Sequence, residues 1–288
     1  MRLATEKKIT IARLISNFIV GVRAIFGLSS ITKVYRRGLH WSLDLKEGID
    51  LAIYLGVYEP ETIKELKRIV KPGDVVVDIG ANIGAITLPL AEYVGVDGRV
   101  IAFEPTSWAY GKLQNNLSLN PHLLNRVRTE QMMLLEEEKE LPSFVYSSWN
   151  LSASEDKLTH PQHKGRLMTT DGGQGISLDG YFEKNPHKKV DLIKLDVDGY
   201  ELVVLKGARK LLLRDSPKMI LEMARQNEEE EKQLEKLLAE LKDAQYRLIH
   251  LTAKYPIMMT KEAIEKLCPP GGSINVLALP FLETYDYL

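Results

Sequence analysis

The residues best placed to do chemistry in this chain are acids that close short β-branched runs. Asp78 ends the run Val75-Val76-Val77, and the turn behind it reads Gly80-Ala81-Asn82-Ile83-Gly84. Glu104 closes a second run, 20 residues after Gly84. Lys194 and Asp196 end a third, Glu201 opens the helix that follows, and Glu222 ends a fourth in Met-Ile-Leu-Glu-Met. A carboxylate at the end of a parallel strand can accept hydrogen bonds from adjacent ribose hydroxyls, and a glycine turn lets a nucleotide approach the backbone. Nucleoside chemistry at one edge of a sheet is the reading these spacings favour.

Two ligands fit that order, NAD and S-adenosylmethionine (SAM). Dinucleotide sites carry G-x-G-x-x-G, whereas Gly80 to Gly84 is G-x-x-x-G, without the middle glycine that admits a pyrophosphate. SAM has no phosphate; it carries a sulfonium and an ammonium, which the negative charge of Asp78 would attract. The turn therefore favours SAM, with Gly80, Asn82 and Gly84 beside it and Glu104 on its ribose.

These residues need a scaffold, and the pattern from about residue 50 supplies one. Short β-branched runs alternate with amphipathic segments, which predicts parallel βαβ units. Helices are expected over 61–70, 84–93, 107–119, 201–214 and 226–243. Strands are expected over 75–78, 100–103, 190–196, 218–223, 246–251 and 274–279, with shorter ones near 127–132 and 144–146, about seven in all. Leu234, Leu237, Leu238 and Leu241 form one buried helical stripe. The polar stretch reaching Gly175 interrupts the regularity. Long polar loops inside a compact pattern usually cover a site. His160, His163, Trp149, Asn150 and Ser152 lie there, as candidates for contact with a second substrate.

Residues 1–49 read as a separate basic, amphipathic, helical extension, and 50–288 as one domain. Up to residue 37, Arg2, Lys7, Lys8, Arg13, Arg23, Lys33, Arg36 and Arg37 face a single acid, Glu6. Ile11, Leu14, Ile15, Phe18, Val22, Ile25 and Phe26 recur between them at helical spacing. The uncharged stretch Leu14 to Val22 is too short to span a bilayer. Such a helix packs on its own domain, on a second copy in a homodimer, or on an anionic membrane surface.

Composition narrows the class. The apolar fraction is 44%, enough for a large core, and the formal net charge is -1, which gives no general electrostatic reason to expect nucleic acid. Cys268 is the only cysteine and sits beside Pro269 and Pro270, so it reads as a loop thiol. With no intrachain disulfide possible, a cytoplasmic setting is expected.

The segments around these residues resemble a known family. "YLGVYEPETIKELKRIVKPGDVVVDIGANIGAITLPLAEYVGVDGRVIAFEP", then "LQNNLSLN", "ISLDGYF", "VDLIKLDVDGYELVVLKGARKLL" and "MILEM", are similar to FkbM-family SAM-dependent methyltransferases from about residue 40 to 225. Lys194-Leu-Asp196-Val-Asp198-Gly199-Tyr-Glu201 resembles that family's K-x-D-x-E-G-x-E, with Asp198 where Glu is usual. The resemblance implies a class I methyltransferase fold: α/β, Rossmann-like, a seven-stranded mostly parallel sheet with helices on both faces and a final antiparallel strand. It also implies that Glu59, Asp78, Gly80, Asn82, Glu104 and Asn116 surround SAM. The stretch from Met132 to Glu138 departs from the family's small residues near the adenine.

Methyl transfer from a sulfonium is an in-line displacement, for which alignment is worth about 7 to 11 kcal/mol and a base roughly 10² to 10⁴ in rate. Asp196 is the first candidate for the catalytic group, with Lys194 on the same face of the strand, and Glu201 and Glu222 near it. Clustered acids can bind Mg²⁺, but acid spacing alone is weak evidence and no metal is expected. The expected reaction is O-methylation of a small hydroxylated acceptor such as a sugar. Alternatives are an RNA or protein acceptor docked through the basic segment, and a SAM-binding module without turnover.

Overall fold

A computed structural model describes residues 5–147, 151, 166–225, 228–268, 270 and 272–283. His160, His163, Trp149, Asn150 and Ser152 lie outside the described residues. The chain opens with helix α1 (Thr5–Ile25), hairpin strands β1 (Ile31–Arg36) and β2 (Leu39–Asp44), and helices α2 (Gly48–Leu55) and α3 (Pro60–Ile69). The first nucleotide-type unit follows: β3 (Val75–Ile79), α4 (Thr87–Tyr93), β4 (Arg99–Phe103), α5 (Ser107–Ser118) and β5 (Val127–Glu130). Short strands β6 (Met132–Leu134), β7 (Phe144–Ser147), β8 (Arg166–Thr169) and β9 (Gln174–Ile176) lead to α6 (Leu178–Lys184). The second half is β10 (Leu192–Leu195), α7 (Glu201–Lys206), α8 (Arg209–Asp215), β11 (Lys218–Ala224), α9 (Glu228–Asp243), β12 (Tyr246–His250), β13 (Pro256–Ile257), α10 (Lys261–Leu267) and β14 (Ser273–Pro280).

The main sheet runs β13-β12-β14-β11-β10-β3-β4-β5. Its run from β11 to β5 is parallel, and β14 inserts antiparallel between β11 and β12. This is the α/β, Rossmann-like class I arrangement, with eight strands rather than about seven because β13 folds back on β12. Two apolar layers cover it. Helices α6 to α10 pack on one face, through Leu178, Leu202, Leu211, Leu234 and Ile264; Leu39, Trp41, Leu66, Leu88 and Leu113 cover the other. β3 is buried along its whole length, on both faces, and carries one acid, Asp78.

Strand order reverses between β3, which continues to β4 and β5, and β10, which lies on its other side. The loops leaving β3 and β10 splay apart there and open a crevice. At its base they touch: a Cβ on Gly80 would lie 1.9 Å from the Asp196 carbonyl oxygen, and φ at Gly80 is +84°. Only glycine allows that approach.

Several elements differ from the sequence reading, each for a long-range reason. The segment 201–214 is two helices, α7 ending at its cap Gly207, whose missing side chain leaves room for the Leu135 carbonyl. Helix α4 begins at Thr87 rather than residue 84, because the turn continues through Ile86. The segment 127–132 breaks at Gln131 into β5 and β6. Cys268 is a fully buried core residue at the end of α10, not a loop thiol. Residues 31–44 form a hairpin, not helix, and Leu39, Trp41 and Leu43 of β2 enter the core. Among the described residues, no helix is long and apolar enough to cross a membrane.

Trp41 tests whether the hairpin is part of the folded body. It is 3% exposed. Trp41→Ala should cost about 3 to 5 kcal/mol in urea unfolding; a cost below about 1 kcal/mol, the usual range for surface substitutions, would make the hairpin peripheral.

Candidate active site

The crevice at the strand reversal is a cavity of about 350 Å³. This lies in the range of small-molecule sites. Gly80 and Asn82 form one wall, Glu104 and Thr106 a second, and Asp196 and Asp198 a third. Met132, Met133 and Leu134 supply an apolar side, and Phe144, Val145 and Leu167 of the β7–β8 hairpin cover it. The sequence left the contacts to an aromatic base open; β6 is the apolar strip beside Glu104.

Glu104 is fixed by three hydrogen bonds. Oε2 accepts from the Asn82 backbone N–H (3.0 Å), and Oε1 accepts from the backbone N–H and hydroxyl of Thr106 (2.9 and 2.5 Å). A carboxylate offers about four acceptor positions. One therefore remains on Oε2 for a ligand hydroxyl, facing a cavity that is otherwise largely apolar. Burial raises the Glu104 pKa against these bonds. Asn82 reaches its position with φ +49°, a left-handed conformation that asparagine tolerates, and its side-chain oxygen accepts from the Ile83 N–H at 2.9 Å.

A second polar group lies on the other face of the sheet edge, and the two-residue period of strands explains it. Val76 on β3, Leu192 on β10, Ile220 on β11 and Leu277 on β14 face the same apolar layer. Two residues along, or two back on antiparallel β14, the same face carries Asp78, Lys194, Glu222 and Asn275. Asp78 pairs in register with Lys194, and Glu222 with Asn275. The row ends against Glu59, which precedes α3: Asn275 Nδ2 donates to Glu59 Oε2 at 3.3 Å and to Thr62 Oγ1 at 3.1 Å.

Lys194 is the cation of this row, 1% exposed, and its Nζ donates to Asp196 Oδ2 at 2.8 Å. Burial alone would lower its pKa, but Asp196, Glu59 and Asp78 outweigh burial and raise it. Around that one ammonium stand Glu59, Asp78 and Asp196, with Glu222 next to Asp196. Carboxylates outnumber the ammonium, and the pKa values of Glu59, Asp78 and Glu222 are raised. Burial lifts Asp78 to about 6 against the bond from Thr87 Oγ1 (2.6 Å). Glu222 rises well above its ordinary value through burial and the charges of Asp196 and Asp198. Burial likewise raises Glu59, and it raises the Tyr58 phenol, with Glu59 and Asp196 adding to the effect.

The expected site residues thus fall into three groups. Gly80, Asn82, Glu104 and Asp196 line the cavity. Glu59, Asp78, Lys194 and Glu222 form the polar row. Gly84, Asn116 and Glu201 support loops: Gly84 packs against Leu88 and Leu113, and Asn116 clamps the Ile83 carbonyl and the Ser42 N–H. Glu201 accepts from the N–H groups of Val197 and Gly199, and burial lifts it to about 7. Neither Asp78 nor Asn116 lines the cavity: Asp78 belongs to the row, and Asn116 holds the loop at Ile83. Thr106, Tyr58, Thr62 and Asn275 were not singled out from the sequence; Thr106, two residues after Glu104, was the one with a local signal. Asp198, held at φ +49°, brings its carboxylate within 4.8 Å of those of Asp196 and Glu222, a spacing a cation could bridge.

Comparison with known proteins supplies the family. Residues 78–248 match the methyltransferase FkbM domain, more than half of the chain. Methyltransferase 1 of Beauveria bassiana is 29% identical over 145 residues, covering 46% of this chain and 57% of that protein. A tRNA(Phe) (4-demethylwyosine(37)-C(7)) aminocarboxypropyltransferase of Pyrococcus horikoshii is 28% identical over 99 residues, covering 33% of this chain and 32% of that one. The matches therefore span between about a third and somewhat over half the length of these curated relatives. Among solved structures, methyltransferase FkbM from Methylobacillus flagellatus aligns with a TM-score of 0.44 and 17% identity, over 75% of this chain and 50% of that one. With most of its sheet and both walls of its crevice inside the matched domain, this chain belongs to the FkbM family of SAM-dependent methyltransferases.

Proposed function

We propose that the protein transfers the methyl group of SAM to a hydroxyl of a small acceptor, with the adenosine in the cavity and the cationic end over the polar row. The observation that carries this reading is the excess of carboxylates around Lys194. A ligand bearing a sulfonium and an ammonium neutralises that excess, whereas a pyrophosphate would add to it. Glu104 takes one ribose hydroxyl, the strip Met132 to Leu134 takes the adenine, and Gly80 and Asn82 bring the backbone close.

In the transfer the acceptor oxygen attacks the methyl carbon opposite the sulfur. The C–S pair returns to sulfur, leaving neutral S-adenosylhomocysteine (SAH), and the acceptor proton passes to a base. Asp196 is the base in this reading, since its carboxylate stands on the cavity wall and Lys194 orients it through Oδ2. Glu222, whose carboxylate lies within 4.8 Å of that of Asp196 and which does not line the cavity, is a neighbour that positions Asp196. The ligand's own cation occupies the acid-rich end, so no metal is invoked and a chelator should leave turnover unchanged.

A small acceptor is favoured by the cover: Phe144, Val145 and Leu167 close over a cavity of about 350 Å³. The competing acceptor is RNA, the substrate class in the name of the Pyrococcus horikoshii relative. Methyl transfer from labelled SAM to a panel of sugars and other polyols, with tRNA beside them, separates the two. Label in a polyol supports the reading, and label only in tRNA overturns it.

Calorimetric titration tests the cofactor site. SAM and SAH should bind and NAD should not, with Gly80→Ala abolishing binding and Glu104→Ala weakening it about tenfold or more. Preference for SAM over SAH should grow from pH 5 to 8 as Asp78, lifted to about 6, ionises, because only SAM carries the sulfonium; a constant ratio would remove the sulfonium from the row. Stability gives an independent check. A carboxyl raised in the folded state stabilises below its unfolded pKa, and that contribution is lost as pH rises through the folded value. For Glu201 the window runs from about 4.5 to about 7. Glu201→Gln should therefore unfold with about 2 to 3 kcal/mol less loss of stability between pH 5 and 8 than the parent protein.

A further inference from the structure

Helix α1 is apolar on two opposite faces, and only one of them is used. The inner face docks on the body: Ser16 is 1% exposed and its hydroxyl donates to the Leu45 carbonyl at 2.7 Å. On the opposite side Ile11, Leu14, Phe18, Val22 and Ile25 follow one another at steps of three and four residues, so they form one stripe. All five are exposed, Phe18 by 72% and Ile25 by 80%. The stripe does not end with the helix. Gly27, at φ +69°, turns the chain, and Phe26, Leu28 and then Ile31 of β1 stay open to solvent. Scattered exposed apolar residues are ordinary; a run of eight in one segment marks a docking surface.

The charges beside it select the partner. Lys33, Arg36 and Arg37 stand exposed on the hairpin that follows α1 in the chain. The described partners of the two guanidiniums are neutral: Arg37 donates to the Gly56 carbonyl, and Arg36 to that of Tyr54 while lying over the Tyr54 ring. Residues 1–37 hold eight basic side chains and one acid. Two copies meeting through this face would bring those positive charges together. An anionic bilayer accepts the aromatic and aliphatic stripe between its headgroups and neutralises the flanking cations.

We propose that the outer face of α1, with Phe26 and Leu28, seats this protein on an anionic membrane surface, the helix lying in the plane of the headgroups. The surface is separate from the cofactor cavity, and the proposal stands whatever the acceptor is.

Co-sedimentation of the full chain with vesicles tests it. Vesicles of phosphatidylcholine containing about 30 mol % phosphatidylserine should bind the protein, and vesicles of phosphatidylcholine alone should bind it at least about tenfold less. Phe18→Ser combined with Phe26→Ser should reduce binding to the anionic vesicles about tenfold or more, with SAM binding and the unfolding midpoint unchanged because both rings are solvent-exposed. Raising the salt should weaken binding of the parent protein. No binding to anionic vesicles, or equal binding to both kinds, overturns the proposal. So does a dimer in sedimentation equilibrium that Phe18→Ser dissociates, since the face would then belong to a second copy.

Discussion

One buried ammonium underlies the arrangement of this site. Lys194 sits on a central strand with Asp78 beside it in register, Asp196 two residues on, and Glu59 across the sheet edge. Removing a charge of this kind leaves its partners buried and unpaired, which is far costlier than losing a surface ion pair. The acids in turn keep Lys194 charged. Because they outnumber it, the row carries an excess of carboxylates, the feature on which the proposed seat for the ligand's cationic end rests.

The second constraint is steric. Gly80 and the Asp196 carbonyl meet at the point where strand order reverses, so the cofactor loop and the loop bearing the candidate base are set against one another by direct contact. Asp196 N donates to the Ile79 carbonyl at 3.1 Å, and Gly80 N and Ala81 N both donate to Phe103 O. Three strand ends are thus tied together. Glu104 is held to the same loop through Asn82. Alignment of donor and acceptor, the largest contribution available to a methyl transfer, is built into these few contacts.

Much of this was legible in the sequence, and the boundary of legibility has a physical cause. Short apolar runs that end in an acid identified β3, β4, β10 and β11, and with them Asp78, Glu104, Asp196 and Glu222. Sequence spacing does not contain strand order. Only the insertion of β14 beside β11 brings Asn275 to Glu59, and only the sheet register puts Lys194 beside Asp78. Asn116 was expected near SAM from the family resemblance, but its amide ties β2 to the loop at Ile83. The glycine at 207 likewise makes room for Leu135, far away in the chain. Local pattern gave the element and its polar residue; the partner came from topology.

The measurement that tests the central claim most directly is a crystal structure of the protein with SAH. The account predicts the adenine against Met132 to Leu134, a ribose hydroxyl on Glu104 Oε2, and the homocysteine ammonium over the row formed by Glu59, Asp78 and Glu222. An adenosyl group bound elsewhere, or an ammonium turned away from those carboxylates, would contradict it.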